Sequence, residues 1–205
     1  MKFTPASDRS LLVTLGECIS VETNARVHLL SHQLQNVTGI TSQSPAYSSL
    51  LVRFDPLRLT HEDLEKLIQS TPLNLETAHV ARLVEIPVHY NGPDLQDIAE
   101  RHSLTVPQVI EAHTVTTYHA YFAGFVPGFV YLGEVTAAIA TPRRSTPRRE
   151  VPAGSVAIAG TQTGVYPRTT PGGWNLIGHT DAILFDAAHG RALVEPGDQV
   201  RFISL

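Results

Sequence analysis

Between Val151 and Thr180 the chain reads VPAGSVAIAGTQTGVYPRTTPGGWNLIGHT, short apolar runs broken every few residues by glycine or proline. Glycine is needed where the backbone takes a positive φ or lies against another group, and proline where φ is fixed. Both at this density specify a loop surface in detail. Such a surface is either a rim of tight turns or a ligand and partner site carried on rigid strands.

The text around this stretch has the same character. From about Tyr118 onward it consists of strands and turns, ending in the turn Glu195-Pro196-Gly197-Asp198 and a last strand through Val200, Phe202 and Ser204. That pattern predicts a mostly β barrel. Ahead of it, Leu83 to Val88 reads as a strand and Asn91-Gly92-Pro93 as a turn into two short helices. Leu95, Ile98 and Ala99 give the first its apolar side, and Thr105 with Pro107 starts the second before Val109, Ile110 and His113.

The first eighty residues alternate instead. Ser10 to Leu15 is a strand, and Ser20 caps a helix whose Val27, Leu30, Leu34 and Val37 recur at three-and-four spacing. Ser49 to Phe54 is a second strand, Thr60 with Asp63 forms a capping box before Leu64, Leu67 and Ile68, and Thr41 to Tyr47 reads as a loop. Residues 1–80 are thus expected to form a small α/β sandwich and residues 81–205 a β barrel with a helical insertion, an α+β chain overall.

With 205 residues, 42% hydrophobic and 17% charged, and a formal net charge of −4, the chain has the composition of an ordinary globular protein. The charge argues against binding nucleic acid or an anionic membrane surface, so any recognition of anions must be local. Neither a signal-peptide core nor a membrane-length apolar run is present, which predicts a cytoplasmic protein. Cys18, the single cysteine, is expected to be a small buried residue.

Four groups of residues could carry chemistry. The basic run Pro142 to Arg149 is either an anion clamp, since guanidinium forks match carboxylate and phosphate geometry, or a solvated loop. Thr169 to Trp174 offers the Gly172-Gly173 pair as an anion-binding nest of N–H groups or as a tight turn, with Trp174 either a core anchor or a stacking platform. Gln162, Thr163 and Tyr166 could orient an amide or carboxylate, or merely satisfy the turns around them. Of ten histidines, His28 and His32 share a helix face but lack a third metal ligand at a recognisable spacing, while His113 and His119 are candidates for acid–base work. A histidine ending a helix is also commonly just a partner of the helix dipole. Ser155 lies in Gly-Ser-Val-Ala and not in a nucleophile elbow, and no H-E-x-x-H occurs, so a self-sufficient hydrolase is hard to defend.

Taken in order, His113, the run Tyr121 to Leu132, Thr141-Pro142-Arg143, Thr146-Pro147-Arg148, Val151 to Val156, Gln162 to Pro167 and Pro171 to Gly178 resemble the family of the B subunit of bacterial 5-oxoprolinase, also called allophanate hydrolase subunit 1. The resemblance extends to Phe3-Thr4-Pro5-Ala6 and Ser49-Leu50-Leu51-Val52. It implies a ferredoxin-like N-terminal domain followed by a cyclophilin-like β barrel. It also implies partnership with the C and A subunits of 5-oxoprolinase in a complex that opens the lactam 5-oxoproline to glutamate at the expense of ATP with magnesium, no cofactor being expected for this chain alone. His113, Arg143 and Arg148 become the expected catalytic residues, with the Gly172-Gly173 turn helping to stabilise anionic charge. Tyr118, Phe125, Gln162, Thr163, Tyr166, Gly172, Gly173, Trp174 and His179 become the expected substrate- or partner-binding set. His179 stands where the family commonly has arginine, and Val130 where it commonly has proline. Some relatives instead inhibit a sporulation histidine kinase, which supplies the alternative function. Prolyl isomerisation would rest on analogy of fold alone, and no allophanate hydrolysis is expected of the isolated chain.

Overall fold

The computed structural model describes residues 1–74 and 81–205. They fall into two compact units, Met1–His79 and Val80–Leu205. Among the described residues no helix is long and apolar enough to cross a membrane.

The first unit contains β1 (Lys2–Ser7), β2 (Ser10–Thr14), α1 (Val21–Gln33), β3 (Ile40–Pro45), β4 (Ser49–Phe54) and α2 (His61–Ser70). Its sheet has the order β1-β2-β4-β3, antiparallel throughout. The buried positions alternate along the two central strands, Leu11 and Val13 on β2 and Leu50, Val52 and Phe54 on β4. Val27 and Leu30 of α1, Leu34 just beyond it, and Leu64 and Ile68 of α2 pack on that face. The helix starts are those the sequence predicts. Ser20 Oγ accepts the Thr23 N–H at 3.0 Å, and Thr60 and Asp63 exchange bonds of 3.1 and 3.0 Å.

Two expectations need correction here, and a third is met only in its coarser form. Residues Thr41 to Tyr47, read as a loop, largely form the edge strand β3, whose outward side chains are polar because one flank of the strand meets solvent. The element order is β-β-α-β-β-α, whereas a ferredoxin-like unit runs β-α-β-β-α-β. What holds is the coarser expectation of two helices on an antiparallel sheet. Cys18 is exposed, in the connection ahead of α1.

The second unit begins with β5 (Leu83–Val88), α3 (Leu95–Arg101), α4 (Val106–Thr114), β6 (Thr117–Ala123) and β7 (Val130–Gly133). It continues with β8 (Arg148–Val151), β9 (Ser155–Ala159), β10 (Gln162–Val165), β11 (Thr170–Gly172), β12 (Asn175–His179), β13 (Phe185–Asp186), β14 (Arg191–Ala192) and β15 (Gln199–Ser204). Seven strands make one sheet in the order β12-β9-β10-β7-β6-β15-β5, with β15 and β5 parallel and the other neighbours antiparallel. This is the barrel-like sheet expected, and it is nearly closed. Its two end strands meet at a seam where His89 and His179 exchange backbone bonds of 2.8 and 2.9 Å. The seam continues with Gly92 N–H to the Ile177 carbonyl at 3.1 Å and Asp94 N–H to the Leu176 carbonyl at 3.0 Å.

Such a close approach excludes side chains. A Cβ on Gly178 would lie 2.7 Å from the His89 carbonyl oxygen, and one on Gly92 would strike the Leu176–Ile177 backbone. Inside the barrel, Ile86, Tyr118, Leu132, Val156, Ile158, Ile177, Val200 and Phe202 form the core together with Leu95, Ile98 and Val109 from the helical insertion. On the opposite face of β9 and β12, Ala157, Ala159 and Leu176 pack beneath Phe129, Val151, Tyr166 and Trp174. Strand β9 is therefore buried along its whole length, which is why Ser155–Ala159 reads as a continuous small and apolar run.

The seam makes a direct prediction. Gly92→Ala forces a methyl group into backbone and should destabilise the protein by about 1–3 kcal/mol or more, read as a lowered denaturant midpoint at unchanged slope. A midpoint equal to that of the unsubstituted protein would show that the seam yields freely.

Candidate functional site

Immediately after the seam, Asp94 is almost wholly buried, its side chain 3% exposed. An ionised carboxylate survives such burial only when paired and hydrogen-bonded, and Asp94 is both. Its Oδ1 accepts from Arg144 Nη1 and Arg148 Nη2, each at 2.7 Å, and its Oδ2 accepts from the Leu176 N–H at 2.7 Å. The Arg144 N–H in turn donates to the Gly173 carbonyl at 2.8 Å. The basic loop is thereby tied to the strands that follow Gly173.

Beside this cluster lies a recess of about 190 Å³ walled by Phe125, Phe129, Tyr131, Tyr166, Trp174 and Arg143, with Gly172 and Gly173 in its lining. The aromatic rings meet edge to face, Phe129 with Trp174 and with Tyr166 at 5.4 Å and Tyr131 with Trp174 at 5.8 Å between centroids. Such rings present apolar walls with fixed orientation. The Arg143 guanidinium carbon stands 5.9 Å from the centroid of the Trp174 ring, within cation–π range. Arg143 and Arg144 also border a wider, more polar groove of about 730 Å³ running along α3. Phe125 is 57% exposed and adopts φ +66°, an uncommon conformation for a residue with a large side chain.

Burial raises the Tyr166 phenol above its ordinary value, opposed by a hydrogen bond from the Trp174 backbone and by the charges of Arg143 and Arg148. Tyr166 is therefore a neutral hydroxyl at physiological pH. Gly172 is required by this phenol. A Cβ there would lie 2.9 Å from Tyr166 ring carbons, so the glycine is a matter of space. Neither Gly172 nor Gly173 has a positive φ, and Gly172 ends β11, so the pair is a strand end whose Gly173 carbonyl faces Arg144 and not a nest of N–H groups.

Of the residues singled out from sequence, Arg143, Phe125, Tyr166, Gly172, Gly173 and Trp174 meet around this recess. The others do not. Arg148 is committed to Asp94, so it is not a free partner to Arg143 on an incoming anion. His113 is fully buried in the barrel. Its Nε2 lies 2.9 Å from Thr163 Oγ1, which donates its own proton to the Ala157 carbonyl, so Nε2 carries the hydrogen. Nδ1 then accepts from the Tyr90 hydroxyl at 2.7 Å, and the ring stacks on Phe202 at 4.6 Å. This is a neutral, fully satisfied imidazole inside a core, placed to brace strands and not to exchange protons with a substrate in the recess.

Tyr118 is buried beside it and donates to the His113 carbonyl at 2.9 Å. Thr163 belongs to the same internal network. Gln162 opens β10 opposite Ala159 and Gly133. His179 seals the seam through its backbone, its half-exposed ring 3.2 Å from Asp181. His119 packs edge-on against Tyr121. Sequence reasoning missed Asp94, whose arginine partners lie 50 and 54 residues further on. The local signal was only a turn, Asn91-Gly92-Pro93. Among the described residues no three His, Cys, Asp or Glu side chains gather in a metal-holding arrangement.

The family model for the carboxyltransferase domain, subdomains C and D, matches residues 1–194. The 5-oxoprolinase B subunit of Escherichia coli O157:H7 is 38% identical over 201 residues, covering 96% of this chain and 92% of that protein. The protein of the same name from Bacillus subtilis (strain 168) is 38% identical over 218 residues, covering 97% and 90%. Among solved structures, TTHA0988 superposes with a TM-score of 0.86 at 40% identity over 96% of this chain. This chain spans 40% of that longer one.

The histidine network sets a pH dependence of stability. Burial pushes the His113 imidazole down to about 3 from its ordinary 6.5. Between those values the unfolded chain binds a proton that the folded one refuses, so stability falls as pH drops from 6.5 toward 3 and is unaffected by this group above 6.5. The slope approaches about 1.4 kcal/mol per pH unit at its steepest. Urea titrations from about pH 7 to about pH 4 should show a steeper acid loss for the unsubstituted protein than for His113→Gln. Equal slopes would mean that the imidazole is charged in the fold.

Proposed function

The chain belongs to the carboxyltransferase domain, subdomain C and D, family, and on that premise we propose that it is the B subunit of an ATP-dependent 5-oxoprolinase acting with the A and C subunits. The observation carrying this reading is similarity along nearly the whole length of both chains to the B subunits of 5-oxoprolinases.

The recess suits the substrate of that reaction. 5-oxoproline is a small cyclic amide with one carboxylate. Flat aromatic walls from Trp174, Phe129 and Tyr131 take its ring, and Arg143 offers a permanent cation to its carboxylate. Tyr166 presents a neutral hydroxyl for the amide. The lining groups bind and orient a lactam, lowering the entropic cost of its reaction. Opening the ring adds water across the carbonyl carbon–nitrogen bond to give glutamate. ATP, with its magnesium, supplies the driving force by activating the stabilised amide carbonyl. In this reading the nucleotide site and the attacking group belong to the assembled complex, this chain contributing a substrate-holding wall.

Co-expression with the C and A subunits should give ATP-dependent release of glutamate from 5-oxoproline. Arg143→Ala in that complex should raise KM for 5-oxoproline about tenfold, the scale of one lost charge-assisted hydrogen bond. A complex that assembles and hydrolyses ATP without releasing glutamate would overturn the function, and an unchanged KM would remove the recess from it.

A further inference from the structure

Resting on that reading of the recess, we infer that Asp94 is a positioning residue for it: by taking up Arg144 and Arg148 it holds the basic loop against β12 and leaves Arg143 as the free cation over Trp174. The bonds of Asp94 come from both walls of the recess. One oxygen receives Arg144 and Arg148 from the loop, and the other receives the Leu176 N–H, two residues beyond Trp174. A single buried carboxylate thus ties the segment carrying Arg143 to the segment carrying Trp174. The bond from Arg144 N–H to the Gly173 carbonyl brackets the same contact from the other side.

Charge separates the three arginines as well. Arg144 and Arg148 converge on one oxygen atom, each 2.7 Å away. Without the carboxylate between them the two guanidinium groups repel and must diverge, some of that charge entering the space beside Arg143. Among the described residues Arg143 has no carboxylate partner, its neighbour being the Trp174 ring. An anion entering the recess therefore meets one guanidinium without a carboxylate partner, Arg143, beside Arg144, which Asp94 already holds. With Asp94 neutralised it would meet several, none fixed, and its orientation would be lost.

Trp174 is the single tryptophan of the chain, so its fluorescence reports on the recess without any enzyme assay. Asp94→Asn should raise the acrylamide quenching constant of Trp174 about twofold as the loop lifts, and raise KM for 5-oxoproline in the complex with the A and C subunits about tenfold with a smaller change in kcat. Asp94→Glu, which restores the charge, should recover most of the KM. Unchanged quenching and KM in Asp94→Asn overturn the inference, as does equal loss of kcat and kcat/KM without a rise in KM. Should that variant melt below the assay temperature, Arg148→Lys carries the test, because it keeps the charge and drops the fork. Raised quenching and KM there support the inference, and wild-type values overturn it. Arg143→Ala separates the two readings. If it raises KM while Asp94→Asn does not, only the positioning role fails; if it leaves KM unchanged, the recess itself is not the lactam site.

Discussion

A buried carboxylate at the seam of the barrel organises this molecule. The ends of a seven-stranded sheet come together where residues 89–94 run beside residues 176–179, and Asp94 stands at the last rung. Its backbone N–H completes the seam and its side chain continues the same contact through the Leu176 N–H. Removing water from a carboxylate costs several kcal/mol unless its lone pairs are filled. Two guanidinium groups and one amide fill them here, so the same carboxylate serves both the seam and the basic loop. The glycines of the seam follow from the same closeness, since neither Gly92 nor Gly178 has room for a methyl group.

The position of the recess follows from the strands on which it stands. In β9, Val156 and Ile158 face the barrel core while Ala157 and Ala159 face outward. Small residues on the outer face let a second apolar layer of Phe129, Tyr166 and Trp174 settle directly on the sheet. That layer lies under the loop that Asp94 fixes, so the recess has one wall of rigid aromatic rings and one of guanidinium. The wall is electropositive in a chain whose formal net charge is −4. That positive character comes from local placement and not from the field of the whole molecule.

Elements governed by local rules were legible in the sequence. The capping residues Ser20, Thr60 and Thr105 act at distances of three residues, and each sits where a helix begins. The edge strands β1 and β3 were not read, because one flank of an edge strand meets solvent and its composition stays polar, with Pro5 and Pro45 adding a turn-like signal. Much of the recess could be singled out through the glycine- and proline-rich stretch and the family resemblance. The division of labour among the arginines could not. Arg143, Arg144 and Arg148 look equivalent in a linear text, and only a carboxylate about fifty residues earlier distinguishes them.

His113 illustrates the opposite error. At the end of a helix, ahead of a tyrosine-rich strand, it has the outward marks of an acid–base residue. Its ring nitrogens are instead both occupied, one by Tyr90 and one by Thr163, and its carbonyl accepts from Tyr118. A histidine used this way links α4 to the strands around it while remaining uncharged, and its worth lies in specifying how polar groups meet inside an otherwise apolar barrel. The recess is lined instead by a guanidinium, a phenol held above its ordinary value, and flat rings. Such a surface brings a cation, a neutral hydroxyl and apolar walls together in orientations that the packing of the rings fixes.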